Sequence, residues 1–316
     1  MTAQAVPPDE HPLIEGGGAS ASYRAFREYI RRTYRRQVGF RDRARLTPGT
    51  NPGDGWVSRL CFEPVYAALR FESLLLPWIE RGQLRVLRNT RPVGAHCRGR
   101  SLERVWLEDG NGQGRELQAQ FYIDATDTGE LLRLADLPYR VGKESRSEFD
   151  EPDAPSHRDP LDQQPVTHVF ALRRCPHAGP IIPAPPTYDF WRQHILPQYG
   201  HLQFSSALPP AVPGNTARLP WEVLDESSTA LDWWRYRRIV SKDQWDDGRE
   251  DITLVNWAQN DYALQPLLDG PMPEHLVREA ARELSQCFLR WLQTEAPRAD
   301  GGTGFPHWQP ALSLIH

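Results

Sequence analysis

The chain has 316 residues, enough for two domains or one large one. Apolar residues make up 39%, with 11 Trp, 10 Tyr and 11 Phe, so a large core is available and the composition is not that of a disordered chain. The net charge of −4 gives no global attraction to nucleic acid, and no run reaches the roughly 18 apolar residues of a membrane helix. Basic residues are almost all Arg; Lys143 and Lys242 are the lysines. Cys61, Cys97, Cys175 and Cys287 are widely spaced and form no CxxC pair, which argues against a disulfide framework or a zinc knuckle. The start, MTAQAVPPDEHPLIE, has neither a basic nor an apolar leader region, so the expectation is a cytoplasmic protein.

Residues 1–20 read as a Pro- and Gly-rich loop or arm. Ser20 to Gln37 reads as a helix capped by Ser20 or Ser22, with Tyr23, Phe26, Ile30 and Tyr34 on one face. Its other face carries Arg24, Arg27, Arg31, Arg32, Arg35 and Arg36, read as solvated in preference to anion-binding. Arg41 to Trp56 is turn-rich. Glu63 to Glu80 is the next helix, with Val65, Leu69, Leu74, Leu75 and Trp78 apolar and Gly82 ending it; Leu84 to Leu87 looks like a strand. A β-meander follows: Val93 to Cys97, Ser101 to Glu108, a hairpin turn at Asp109-Gly110-Asn111-Gly112, and Leu117 to Asp124.

The most informative stretch is FYIDATDTGELLRLADLPYRV, from Phe121 to Val141. A strand, a small acidic turn and a helix in that order can handle a nucleotide, because small residues let a ligand approach the backbone and a helix N-terminus offers N–H groups. An ordinary strand–helix connection has the same pattern.

From Gly142 to Pro186 the prolines and the charged run KESRSEFDEPDAPSHRD mark a boundary. Val166 to Leu172 is a strand candidate, Phe190 to Ile195 a short helix, and Ile252 to Trp257 a strand. Pro273 to Gln293 is the strongest helix, with Leu276, Ala280, Leu284, Phe288 and Leu292 sharing a face. No structure is expected from Arg298 to His316; His168 reads as a core or sheet-face histidine in preference to a catalyst, and no metal set is expected around His177, His194 or His201.

The meander leading into IDAT is similar to the glutathione-reductase-like flavoproteins, in which the last strand ends in Ala-Thr-Gly beside the flavin; here Asp127 stands in place of the Gly. TAQAVPPDEHPLIE, NPGDGWVSRLCFEP, IDATDTGELLRLADLPYRVGKESRSE, VNWAQNDY and LQTEAPRADGGTGFP resemble blocks of the bacterial FAD-dependent oxidoreductase family and spread over nearly the whole chain. The resemblance implies an α/β fold: a partial FAD-binding Rossmann-like domain with a β-meander, and an inserted β-rich substrate domain. The expected divisions are 1–141 for the cofactor part, 142–262 for the substrate part and 263–316 for a returning helix and tail.

The family's opening strand, GxGxxG loop and helix are not found, since Gly16-Gly17-Gly18 follows no apolar strand. The tail HWQPALSLIH does not look like the family's last strand, so the resemblance implies a chain lacking a cofactor-binding unit in front and a segment behind.

The implied cofactor is FAD. The implied cofactor-side residues are Gln4, Asp124, Ala125, Thr126, Asp127, Gly129 and Glu130. The implied catalytic residues are His11, to exchange protons; Arg59, to clamp a carboxylate or a reduced flavin; and Asn260 and Asp261, to orient a substrate. The implied activity is hydride transfer from a small organic substrate to the flavin. The alternatives are an inactive truncated flavoenzyme and a carbohydrate- or anion-binding module built on Trp234, Trp257 and the Arg helix. No nucleic acid, membrane or metal partner is expected, and the oligomeric state is open.

Overall fold

The computed structural model describes residues 19–196, 200–208, 219–220 and 232–311; Gln4 and His11 lie outside them. In chain order the described elements are helices α1 (Ala21–Arg35), α2 (Asp42–Leu46) and α3 (Pro64–Glu80), strands β1 (Thr90–Arg98), β2 (Ser101–Asp109) and β3 (Gly114–Leu117), and helices α4 (Glu130–Leu134) and α5 (Arg146–Phe149). Next come β4 (Val166–Thr167), β5 (Phe170–Arg174), α6 (Tyr188–Gln193), β6 (Ile195–Leu196), β7 (His201–Leu202), β8 (Ala207–Leu208) and β9 (Leu219–Pro220). The chain continues with α7 (Trp233–Tyr236), β10 (Arg238–Val240), β11 (Ile252–Val255), β12 (Asp261–Tyr262), α8 (Glu274–Thr294) and β13 (Trp308–Pro310). This is a mixed helix-and-sheet chain, and every described strand pair is antiparallel.

Two compact units divide the chain. One comprises Met1–Leu74, Pro165–Ala263 and His275–His316; the other comprises Leu75–Gln164 and Leu264–Glu274.

The first unit is built on a four-stranded sheet in the order β10-β11-β5-β13. α1 starts at Ser20, whose hydroxyl accepts from Tyr23 N at 3.2 Å, the cap expected from the sequence. Ile30 and Tyr34 bury their side chains with Phe40, Leu60, Phe62, Ile239, Trp245 and Leu254. Such aliphatic and aromatic burials contribute about 1.5–3 kcal/mol each. The arginine face is not solvated throughout: Arg27 and Arg31 are 3% and 6% exposed. Arg31 donates from Nε to Thr50 O at 3.1 Å and from Nη2 to Arg59 O at 3.3 Å, which offsets its desolvation.

α8 carries a second core. Val277, Ala281, Leu284, Phe288 and Leu292 are buried, while Leu276 is exposed, so the apolar stripe is turned by about one residue from the expected face. Phe288 lies against Phe204, Trp291 and Trp233, and Trp233 stacks on Trp308 at 5.5 Å. Trp308 belongs to β13, so the stretch after Arg298, expected to be without structure, supplies an edge strand paired with β5. Val166 to Leu172 is not one strand either: β4 and β5 are separated at His168–Val169 and pair with β12 and β11 respectively.

The second unit holds a meander β1-β2-β3, whose first two strands lie where the sequence reading put them. The Asp109 carboxylate accepts from Asn111 N and Gln113 N, each at 2.9 Å, and fixes the hairpin turn. The third strand is not the expected Leu117 to Asp124: it runs over Gly114–Leu117 and shares only Leu117 with it. Only Gly114–Leu117 pair with β2, and residues 118–126 join no ladder. Phe121 and Ile123 are 85% and 88% exposed in consequence. Leu84 to Leu87 is also not a strand, because it has no pairing partner among the described residues. The unit is tied by an Arg133–Glu274 ion pair at 3.1 Å and by the Tyr139 hydroxyl donating to Asp269 at 2.8 Å. Helix α3, divided between the units at Leu74, buries only Ala67, and its apolar residues Val65, Leu69, Leu74, Leu75 and Trp78 are exposed.

Candidate functional site

In the second unit the turn at Asp124 follows the meander directly. Tyr122 anchors its approach: the phenol donates to Glu103 O at 2.8 Å and accepts from Ala119 N at 3.0 Å. Asp124 then organises the turn. Its carboxylate accepts from Thr126 N at 2.9 Å, from Thr126 Oγ1 at 2.7 Å and from Leu131 N at 3.0 Å. Thr126 Oγ1 in turn accepts from Glu130 N at 2.9 Å. Hydrogen bonds from Thr126, first the backbone and then the hydroxyl, hold the Asp124 carboxyl below the usual carboxylate range. Gly129 sits at φ +62, a left-handed conformation that lets the chain turn into α4.

This bonding differs from the sequence expectation in two ways. The N-terminal N–H groups of Glu130 and Leu131 are not open to an anion, because Thr126 and Asp124 occupy them. The Thr126 hydroxyl proton is already given to Asp124. What the turn does present to solvent is Ala125, Thr126 and Asp127. Beside it lies a cleft of about 350 Å³ between the meander and α4, walled by Leu102, Phe121, Tyr122, Asp124, Leu131 and Leu132. An apolar wall next to a backbone edge of small residues suits a flat, ring-shaped ligand.

In the first unit the loop 51–62 carries Arg59. Asn51 staples it: its amide donates to Gly55 O at 2.7 Å and Ser58 O at 3.2 Å, and its Oδ1 accepts from Cys61 N at 2.6 Å. Gly53 is seated so closely that a Cβ there would lie 2.1 Å from Arg238 O. Arg238, 8% exposed, donates to Gly53 O at 2.8 Å, pairs with Asp54 at 2.8 Å and reaches buried Asp251 at 3.5 Å. Arg235 pairs with the other Asp54 oxygen at 2.9 Å. Nothing in the sequence spacing pointed to this ion-pair cluster. Arg59 itself is exposed, and its guanidinium makes no hydrogen bond or ion pair among the described residues. A loop pinned by Asn51 and Arg238 thus holds out Arg59, whose guanidinium is unengaged among the described residues.

Asp261 begins β12, and Asn260 directly precedes it. Asn260 is fully buried. Its Oδ1 accepts from Trp257 N at 2.9 Å, and its Nδ2 donates to His168 O and Ser285 Oγ, each at 3.3 Å. The amide joins three segments and has little hydrogen-bonding capacity left for a ligand. Asp261 pairs across the ladder with Thr167, whose hydroxyl donates to its carboxylate. Burial pushes the Asp261 carboxyl up, against smaller opposing effects from Thr167 and Arg237. An acid whose folded value is raised favours the native state when protonated, and that stabilisation is lost as pH rises from the unfolded value of 3.8 through the folded one. Asp261→Asn is therefore expected to gain stability relative to the wild type as pH climbs through that window. Paired urea titrations across pH would show it, and a pH-independent difference would contradict it.

Arg59, Asn260 and Asp261 belong to the first unit and Asp124 to Glu130 to the second. Among the described residues, no three His, Cys, Asp or Glu side chains group as a metal-ligand set, and no helix is long and apolar enough to cross a membrane. The four cysteines are free thiols.

A family model described as FAD dependent oxidoreductase matches residues 1–311. The chain belongs to the FAD-dependent oxidoreductase family. Comparison with curated proteins and with solved structures gives no match. Family membership implies FAD as cofactor and a flavin oxidoreductase activity in general terms. The described residues fit that group in part. The exposed turn at Ala125–Asp127 and its apolar cleft suit the flat flavin ring system. The pyrophosphate needs a glycine-rich strand–helix turn with open N–H groups, and among the described residues none is present, α4 being capped by its own turn.

Proposed function

We propose that this member of the FAD-dependent oxidoreductase family oxidises a small organic substrate; within the second unit the Asp124–Glu130 turn is assigned to the flavin, and within the first unit Arg59 and Asp261 are assigned to the substrate. The observation that carries the reading is the family match over residues 1–311. FAD, when bound, supplies the hydride acceptor and passes electrons onward. Ala125 and Thr126 offer a backbone edge without bulk. Asp127 adds a charge at that edge. Asp124 and Gly129 keep the turn in shape, and Glu130 begins the helix behind it. Arg59 holds a substrate carboxylate through charge-assisted hydrogen bonds. Asp261, raised by burial, takes up or releases a proton at its carboxyl oxygen. Asn260 positions the segment that carries Asp261. Gln4 and His11 stay with the cofactor side and with proton exchange on the strength of the family resemblance.

The test is visible absorbance of the purified chain after incubation with FAD and gel filtration. A retained flavin spectrum that bleaches with an organic substrate supports the reading. With such a substrate bearing a carboxylate, Arg59→Ala is expected to lower kcat/KM about 10- to 100-fold, the worth of a charge-assisted bond. An unchanged kcat/KM would remove Arg59 from the site. A second reading, that this chain by itself retains no FAD, is favoured by the self-capped α4 and the lack of a pyrophosphate cradle among the described residues. A folded protein that elutes colourless would decide for it.

A further inference from the structure

Helix α3 has one side engaged and the other exposed. Tyr66 and Ala67 join the core of the first unit, Phe71 stacks on Phe26 at 5.5 Å, and the Arg70 guanidinium lies 4.8 Å from the centre of the Tyr29 ring. These contacts tie the helix to α1. Ala67 is nevertheless the one buried residue of α3, and eight of its large apolar side chains are 39–50% exposed.

The exposed side carries a pattern. Val65, Ala68, Leu69, Glu72, Leu75, Leu76 and Ile79 recur at intervals of three and four residues, and all seven are exposed. At about 100° per residue they fall within an arc of about 120°, centred opposite Ala67 and Arg70. That is the spacing of a helix that packs along another helix. The stripe is a property of one continuous helix.

Its size calls for a cover. Such exposure of eight large side chains leaves on the order of 600 Å² of apolar surface, the upper end for the largest patch on a monomer. A partner that covers most of it buries about 1,000 Å² over both sides, near the lower end of specific interfaces. A lipid surface would have to take in Glu72 from the middle of the stripe, which is costly.

A second copy fits better, because the stripe is symmetric about Glu72. With two copies antiparallel and Glu72 on the two-fold axis, Val65 meets the partner's Ile79, Ala68 meets the partner's Leu76, and Leu69 meets the partner's Leu75. Every apolar position then faces an apolar one, as a closed pair requires. The one polar position lies on the axis, where it fixes the register at some cost in affinity.

We propose that α3 is the interface of a two-fold dimer of this chain, its two helices packed antiparallel through the stripe from Val65 to Ile79.

Sedimentation velocity of the full chain over about 1–100 μM tests this, and a reversible monomer–dimer equilibrium in that range is expected. Leu75→Glu adds a carboxylate pair beside Glu72 and is expected to weaken the dimer at least about 100-fold. Glu72→Leu removes both carboxylates from the axis and is expected to tighten the dimer about tenfold. Circular dichroism checks that each variant is folded, and Glu72→Leu decides where Leu75→Glu is not. A monomer at every concentration, species larger than a dimer, a dimer indifferent to Leu75→Glu, or no gain in Glu72→Leu would overturn the interface. Flotation of a monomer with phosphatidylcholine–phosphatidylglycerol vesicles would overturn it in favour of a lipid surface. Sedimentation is read without flavin, so its failure leaves the FAD reading untouched.

Discussion

Replacing Arg238 with alanine is expected to lower the unfolding free energy of the first unit by about 3–5 kcal/mol, the cost of breaking a buried ion pair from one side. Arg238 is 8% exposed and Asp251 is 3% exposed, so the variant strands a carboxylate where water does not reach it. It also leaves the Gly53 carbonyl without the Arg238 donor and removes Arg238 from Asp54, which keeps Arg235. Arg235→Ala is the internal control. Arg235 meets the same Asp54 at 2.9 Å, but both side chains are substantially exposed, and such pairs are worth about 0–1 kcal/mol. Urea unfolding of the two variants followed by tryptophan fluorescence makes the comparison. Equal costs would show that Asp251 does not depend on Arg238. The consequence reaches the candidate site, because the same cluster pins the loop that holds out Arg59.

Trp308→Ala is expected to cost about 3–5 kcal/mol as well, through a cavity that the surrounding rings cannot collapse to fill. Trp308 is completely buried, stacks with Trp233 and Phe305 and meets Trp234 at a tilt. Its carbonyl accepts from Gln293 Nε2 at 3.0 Å, and the same Gln293 binds Ile182 N at 3.0 Å, which ties α8 to the sheet edge. Trp308→Phe keeps most of the stacking and is expected to cost about 1–2 kcal/mol. Far-UV circular dichroism against urea measures both without relying on tryptophan emission. A cost below about 1 kcal/mol for the alanine variant would mean that β13 is dispensable to the core.

Several elements were legible because their causes are local. The Ser20 cap and the spacing of Ile30 and Tyr34 give α1. Asp109 and the glycines after it give the hairpin. The apolar repeat from Leu284 to Leu292 gives the core face of α8. The turn at Asp124 was legible in place and in residue type. Its bonding was not, since the pattern does not say whether a helix N-terminus is open or closed by its own carboxylate. Arg59 could be singled out from the sequence, but its exposure on a stapled loop depends on Asn51, Gly53 and Arg238 together.

The sequence by itself determined what rests on short-range chemistry: caps, turns, helical periodicity and the family blocks that mark an FAD-dependent oxidoreductase. Tertiary structure alone decided which polar groups are buried and which apolar ones are not. Arg31 is buried because carbonyls of Thr50 and Arg59 meet it, while Phe121 and Ile123 stay exposed because no strand among the described residues pairs alongside them. A cleft lined by Arg174, Phe305 and Trp308 forms only when β13 pairs with β5 across a long sequence gap. Partner availability at long range is set by how the chain packs, and no local pattern encodes it.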